Sequence, residues 1–188
     1  MAVARLLALP LGARAVAESH VGPLEAAWMG HQGRGLRVTR HVACGELLLV
    51  DRALVVAQSH SLVTATCEAL RRCGAKDFEA FRMLCGQRQV MEIPKELHVA
   101  LGMRAEVCRE VDPKEVKAIL DSNAHVLDGF NGQQKELSGL FLVASLINHS
   151  CRPSAARIFL GDLMFLRAAR DLEKGEEVTD GRWVRKGG

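Results

Sequence analysis

The chain of 188 residues contains no tyrosine, so no phenolic hydroxyl is available to any chemistry it performs. It also lacks a CxxC pair or a Cys/His cluster at ligand spacing. Its six cysteines, Cys44, Cys67, Cys73, Cys85, Cys108 and Cys151, lie scattered, which points away from a zinc site or a disulfide framework. Reduced thiols in an intracellular compartment, nucleus or cytoplasm, are the expectation. No apolar run approaches the roughly 20 residues that a membrane-crossing helix needs, so a soluble protein without membrane contact is expected. The net charge of +3 is spread over interspersed acids and bases. That is too weak a field to announce direct nucleic-acid binding. No internal repeat or low-complexity tract stands out. No acid precedes Glu18, while Arg5 and Arg14 do, which fits an organelle transit peptide as well as a disordered start; residues 1–29 read as an N-terminal extension.

What is present is enough chain for one domain with a real core. Strand-like text stands at both ends and helical text between. From Leu36 to Ala57 short β-rich runs, separated by Gly45 or by charge, predict a small meander. Between Leu62 and Ser122, Phe78, Phe81 and Leu84 fall on one helical stripe, and Leu97, Leu101 and Cys108 on another after Pro94. Asp112 can cap a helix with Pro113 at its first position and Glu115 three residues on, burying Val116, Ile119 and Leu120. Past Gly129 strands resume, and RIFL, Gly161, Asp162, LMFL predicts a tight hairpin with glycine first in a two-residue loop. The fold class is mainly β with a helical insertion at about 60–122.

The stretch SLINHSCRPSA, residues 145–155, places Asn148, His149, Ser150 and Cys151 directly behind an apolar run and turns at Pro153. Such side chains compete with the backbone for hydrogen bonds and favour turns, so four together suggest a purpose beyond packing. Upstream, Gly33 and Gly35 flank Arg34 and would let backbone approach a ligand without a Cβ clash.

Three separated pieces, GRGLRVTRHVACGELLLV, SNAHVLDGF, and SGLFLVASLINHSCRPSA running into LMFLRAARDLEKGEEVT, together resemble a SET domain over residues 30–181. The nearest branch is that of the SET/MYND and tetratricopeptide-SET proteins, although no cysteine pattern of a zinc-binding MYND module is present. The resemblance implies a β-clip, pseudoknot fold of small sheets plus a helical insert. It implies methyl transfer from S-adenosylmethionine to a lysine side chain of a protein partner, histone or non-histone. That reaction is an in-line displacement in which the enzyme's main task is alignment. By the same resemblance Gly33, Arg34, Gly35, Asn123, Asn148 and His149 bind the cofactor, Asn148 through its amide and His149 through the backbone around it. Asn123 also suits the polar end of the preceding helix. Phe141 stands where the family has an aromatic near the catalytic cleft, and suits a core position equally. His125 reads as structural, Cys151 as a small buried packing residue, and Glu176 and Glu177 as a solvated pair in the turn before the last strand.

Three departures accompany the likeness. The family tyrosine that borders the methyl-transfer site is replaced by Arg182, whose guanidinium cannot accept a proton at working pH. Ser154 replaces an asparagine. The last residues, 182–188, form a divergent tail, as expected of a truncated or alternatively ended product and equally of a pseudoenzyme. A catalytically inactive module that binds cofactor or a protein partner is therefore the second expectation.

Overall fold

The computed structural model describes residues 19–84, 111–127 and 137–181. Three small sheets and a helical layer share two adjoining cores. The first sheet runs β1 (His20–Val21), β4 (Leu47–Arg52), β10 (Leu163–Ala168), β9 (Ala155–Leu160). The second runs β2 (Leu24–Trp28), β3 (Arg34–Val38), β11 (Glu177–Asp180), β8 (Asn148–His149). The third runs β5 (Val55–Gln58), β7 (Leu137–Leu140), β6 (His125–Leu127). Leu36, Val38, Leu48, Leu49, Phe141, Met164, Leu166 and Val178 form the core of the first two sheets.

Helices α1 (Leu62–Arg72), α2 (Ala75–Arg82) and α3 (Pro113–Asn123) supply the second core, in which Leu70, Phe81, Leu84, Val116, Ile119 and Leu120 meet Leu140 of β7. The expected start of α3 is observed: Asp112 Oδ1 accepts from the Lys114 N–H at 2.9 Å, with Pro113 leading the helix. The stripe of Leu97, Leu101 and Cys108 lies outside the described residues. The hairpin of β9 and β10 forms as expected around Gly161 at φ +63°.

Three expectations need correction. Residues 36–57 are not a meander, because β3, β4 and β5 each join a different sheet. Alternation of apolar and polar residues tells a strand which face to bury, not which neighbour to take. The N-terminal extension does not reach residue 29, since β1 and β2 pair with β4 and β3. Strands resume before Gly129, with β6.

The chain also contains a repeat. Residues 36–50 and 166–180 are two copies of one strand–turn–strand unit, sharing Leu36/Leu166, Arg37/Arg167, Arg40/Arg170, Gly45/Gly175 and Glu46/Glu176. In each copy the turn glycine takes a left-handed φ, +82° and +86°, and the arginine pairs with the glutamate. Val42 and Leu172 exchange two 2.9 Å backbone hydrogen bonds at the centre. The Gly45 N–H donates to Ala168 O, and the Gly175 N–H to Val38 O, both at 2.8 Å. Each unit lends its last strand to the other: β11 pairs with β3, and β4 with β10.

Candidate functional site

Strand β11 places the site. It lies antiparallel to β3, through Glu177 opposite Arg37 and Val178 opposite Leu36, and parallel to β8, through Thr179 beside Asn148 and Asp180 beside His149. Segments from residues 34, 148 and 177 thereby share one wall. The Asn148 amide donates to Arg34 O at 3.1 Å and to Glu177 Oε1 at 2.8 Å. Gly35 fits against this pair so closely that a Cβ there would stand 2.7 Å from Met29 Cγ and 2.8 Å from both Asn148 Nδ2 and Glu177 Oε1. Gly33 differs: it adopts φ +78°, and its Cβ position faces open space. One glycine is required by contact, the other by backbone conformation.

The polar run after Asn148 is tied to β11 residue by residue. Asp180 O accepts from the Ser150 N–H at 3.1 Å and lies 3.2 Å from His149 Nδ1. Ser154, buried, donates through Oγ to Glu177 O at 3.0 Å and accepts from the Thr179 N–H at 2.8 Å. The serine thus serves the turn through bonds to a distant strand rather than through a local one. Cys151 is exposed rather than buried, and its Sγ lies 3.7 Å from His149 Nε2.

Two buried carboxyl groups tie neighbouring segments to the wall. Asp51, 5% exposed at the end of β4, accepts from the N–H groups of Val143 and Ala144 at 3.0 and 2.9 Å. It thereby caps the 3-10 turn Ala144–Leu146 that delivers the chain to β8. Burial pushes its carboxyl above the usual carboxylate range, against the lowering effect of those backbone bonds. The Asp180 carboxylate pairs with Arg157 of β9, with 10% and 13% of the two side chains exposed. In the turn before β11, the Arg170 guanidinium holds the Glu176 carboxyl below its ordinary range.

Gly33, Arg34, Gly35, Asn148 and His149 come together here. Asn123 is buried at the end of α3, where its amide donates to Ile119 O at 2.7 Å, and its backbone carbonyl accepts from Ser145 Oγ at 3.3 Å. Phe141 has no exposed surface and packs edge-on to His125 and tilted on Phe159, ring centroids 5.8 and 5.6 Å away. Arg182 lies outside the described residues. Sequence reasoning missed Asp51, the Arg157–Asp180 pair and the contact of Glu177 with Asn148. A signal existed for Asp51, an acid closing the apolar run LLLV. Among the described residues no group of His, Cys, Asp and Glu could hold a metal ion.

The family model described as SET domain matches residues 33–180. The chain belongs to the SET-domain family. A SET domain-containing protein of Drosophila melanogaster, SmydA-8 isoform A, is 26% identical over 78% of this chain and 47% of its own length. The human histone-lysine N-methyltransferase SMYD3 is 46% identical over 26% of this chain and 12% of its own. The mouse protein-lysine N-methyltransferase SMYD4 is 45% identical over 26% of this chain and 6% of its own. The chain thus spans about half the length of the Drosophila relative, and far less of the other two. As expected for a SET domain, small sheets dominate, and β11 is enclosed between β3 and β8.

Proposed function

We propose that this SET domain transfers a methyl group from S-adenosylmethionine to the side-chain amine of a lysine in a protein. The observation that carries the proposal is the fixed orientation of Asn148. Both acceptors around its Nδ2 belong to the protein, Arg34 O and Glu177 Oε1, which turns Oδ1 the other way. No described group donates to that oxygen, so it suits the ammonium of an amino-acid-bearing cofactor. Beside it the left-handed turn at Gly33 borders open space, where the same ligand could lie. The cofactor would supply an electrophilic methyl on a sulfonium.

The chain's own part is alignment. Arg34 and Gly35 contribute backbone, Asn148 an acceptor, and β8 the edge along which His149 sits. A target lysine, with an unperturbed pKa of about 10.4, must lose its proton before its nitrogen can attack. The experiment is incorporation of labelled methyl into lysine-rich protein by the purified chain. No turnover above a control lacking cofactor counts against the proposal.

A second reading is favoured by one fact: the chain has no tyrosine, and Arg182 stands where the family places one. A guanidinium would repel a lysine ammonium and cannot take its proton. Under this reading the module binds the cofactor or a protein partner without transferring methyl. Calorimetry with S-adenosylhomocysteine separates the two, since binding without turnover supports the second. Gain of turnover in Arg182→Tyr would show a decayed enzyme.

A further inference from the structure

Glu176 and Glu177 are neighbours in sequence with opposite surroundings. Glu176 is neutralised by Arg170, as its counterpart Glu46 is by Arg40. Glu177 opens β11 half-buried, and the arginine across from it, Arg37, is engaged by Glu25 at 2.7 Å. No Lys, Arg or His among the described residues pairs with the Glu177 carboxylate. What surrounds it is neutral: the Asn148 amide at 2.8 Å from Oε1, and the Gln32 amide, turned to donate, 2.9 Å from Oε2. A half-buried carboxylate held by amides alone has no cationic partner within the described protein and can take one from a ligand. The carboxylate stands beside Gly35 in the same wall as Asn148.

We infer that Glu177 is the counter-ion for the primary ammonium of a bound amino-acid-bearing nucleoside, and that it also fixes the Asn148 amide so that Oδ1 accepts from that ammonium. The inference rests on the cofactor reading above and adds to it a charged binding residue. It specifies the ligand class: a cationic α-amino group is required, and the nucleoside alone does not engage Glu177.

Calorimetry on the full chain tests this with two ligands, S-adenosylhomocysteine, which carries the ammonium, and 5′-methylthioadenosine, which lacks it. The unaltered chain should prefer the first. Glu177→Gln retains an acceptor for Asn148 but removes the charge. Its affinity for S-adenosylhomocysteine should fall about tenfold or more, the worth of a charge-assisted hydrogen bond, with methylthioadenosine binding unchanged. Glu176→Gln should alter neither affinity.

Equal loss for both ligands in Glu177→Gln, or no loss for the first, overturns the inference and leaves the proposed function standing. If that variant does not fold, Glu177→Asp takes its place, keeping the charge but setting it back by one methylene: selective loss for S-adenosylhomocysteine supports the inference, and equal loss for both ligands or none for the first overturns it. If the unaltered chain binds neither ligand, the proposed function falls first and this inference with it.

Discussion

Gly35→Ala introduces one methyl group at the most crowded point of the site. Its Cβ would stand 2.7 Å from Met29 Cγ and 2.8 Å from Asn148 Nδ2 and Glu177 Oε1, well inside the 3.4–4 Å of ordinary contact. Met29 can swing aside. Asn148 cannot do so without losing Arg34 O or Glu177 Oε1. Overpacking costs about 1–3 kcal/mol, and one broken hydrogen bond about 1 kcal/mol, so a loss near 2–3 kcal/mol is expected. For a domain of this size that lowers the thermal midpoint by roughly 4–12 °C. Urea denaturation of four proteins, the unaltered chain, Gly35→Ala, Asn148→Ala and the double variant, measures it directly. Removing the asparagine relieves one of the three clashes, so the two changes should be coupled by at least about 0.5 kcal/mol. Additive losses would refute the claim that Gly35 exists to admit the Asn148 amide.

Asp51→Ala removes the acceptor of two backbone N–H groups and should cost about 2–3 kcal/mol by urea denaturation, with Asp51→Asn costing less because it keeps an acceptor. Because the folded state raises the Asp51 pKa, the stability linked to its proton is present below the ordinary value of 3.8 and lost as pH rises through the raised one; Asp51→Asn should abolish that slope in acid titrations of stability. Arg157→Leu strands the Asp180 carboxylate and should cost about 3–5 kcal/mol, whereas Arg157→Leu with Asp180→Leu should cost less than the single change. Asp112→Ala removes the cap of α3 and should cost about 1 kcal/mol, read from the thermal midpoint.

Local features were legible in the sequence because neighbours along the chain determine them. Asp112 before Pro113, and Gly161 before Asp162, act within a few residues. Asn148 and Gly35 could be named together only through family likeness, since nothing within either stretch states that the other lies against it. The meander fails for the same reason: the text of β3, β4 and β5 specifies strands, while β3 and β4 each take one partner from residues 20–28 and the other from residues 163–180. The duplicated unit was written plainly, with arginine, glycine and glutamate at equal spacing in both copies, but its copies lie too far apart to look like a tandem array. Glu176 and Glu177 read as a pair because adjacency in sequence hides that the strand begins between them, leaving Glu176 in the turn and Glu177 on β11.

The enclosure of β11 between β3 and β8 also orders events in time. The bonds that shape the wall join residues 114 and 29 positions apart, so they close late, after long loops have lost their freedom. A nascent chain whose residues 177–180 are still inside the ribosome can form the helical layer but has an empty lane where β11 belongs. Under the proposed function a ligand has nowhere to dock until that lane fills, so the binding surface waits on residues 177–180 taking their place between β3 and β8.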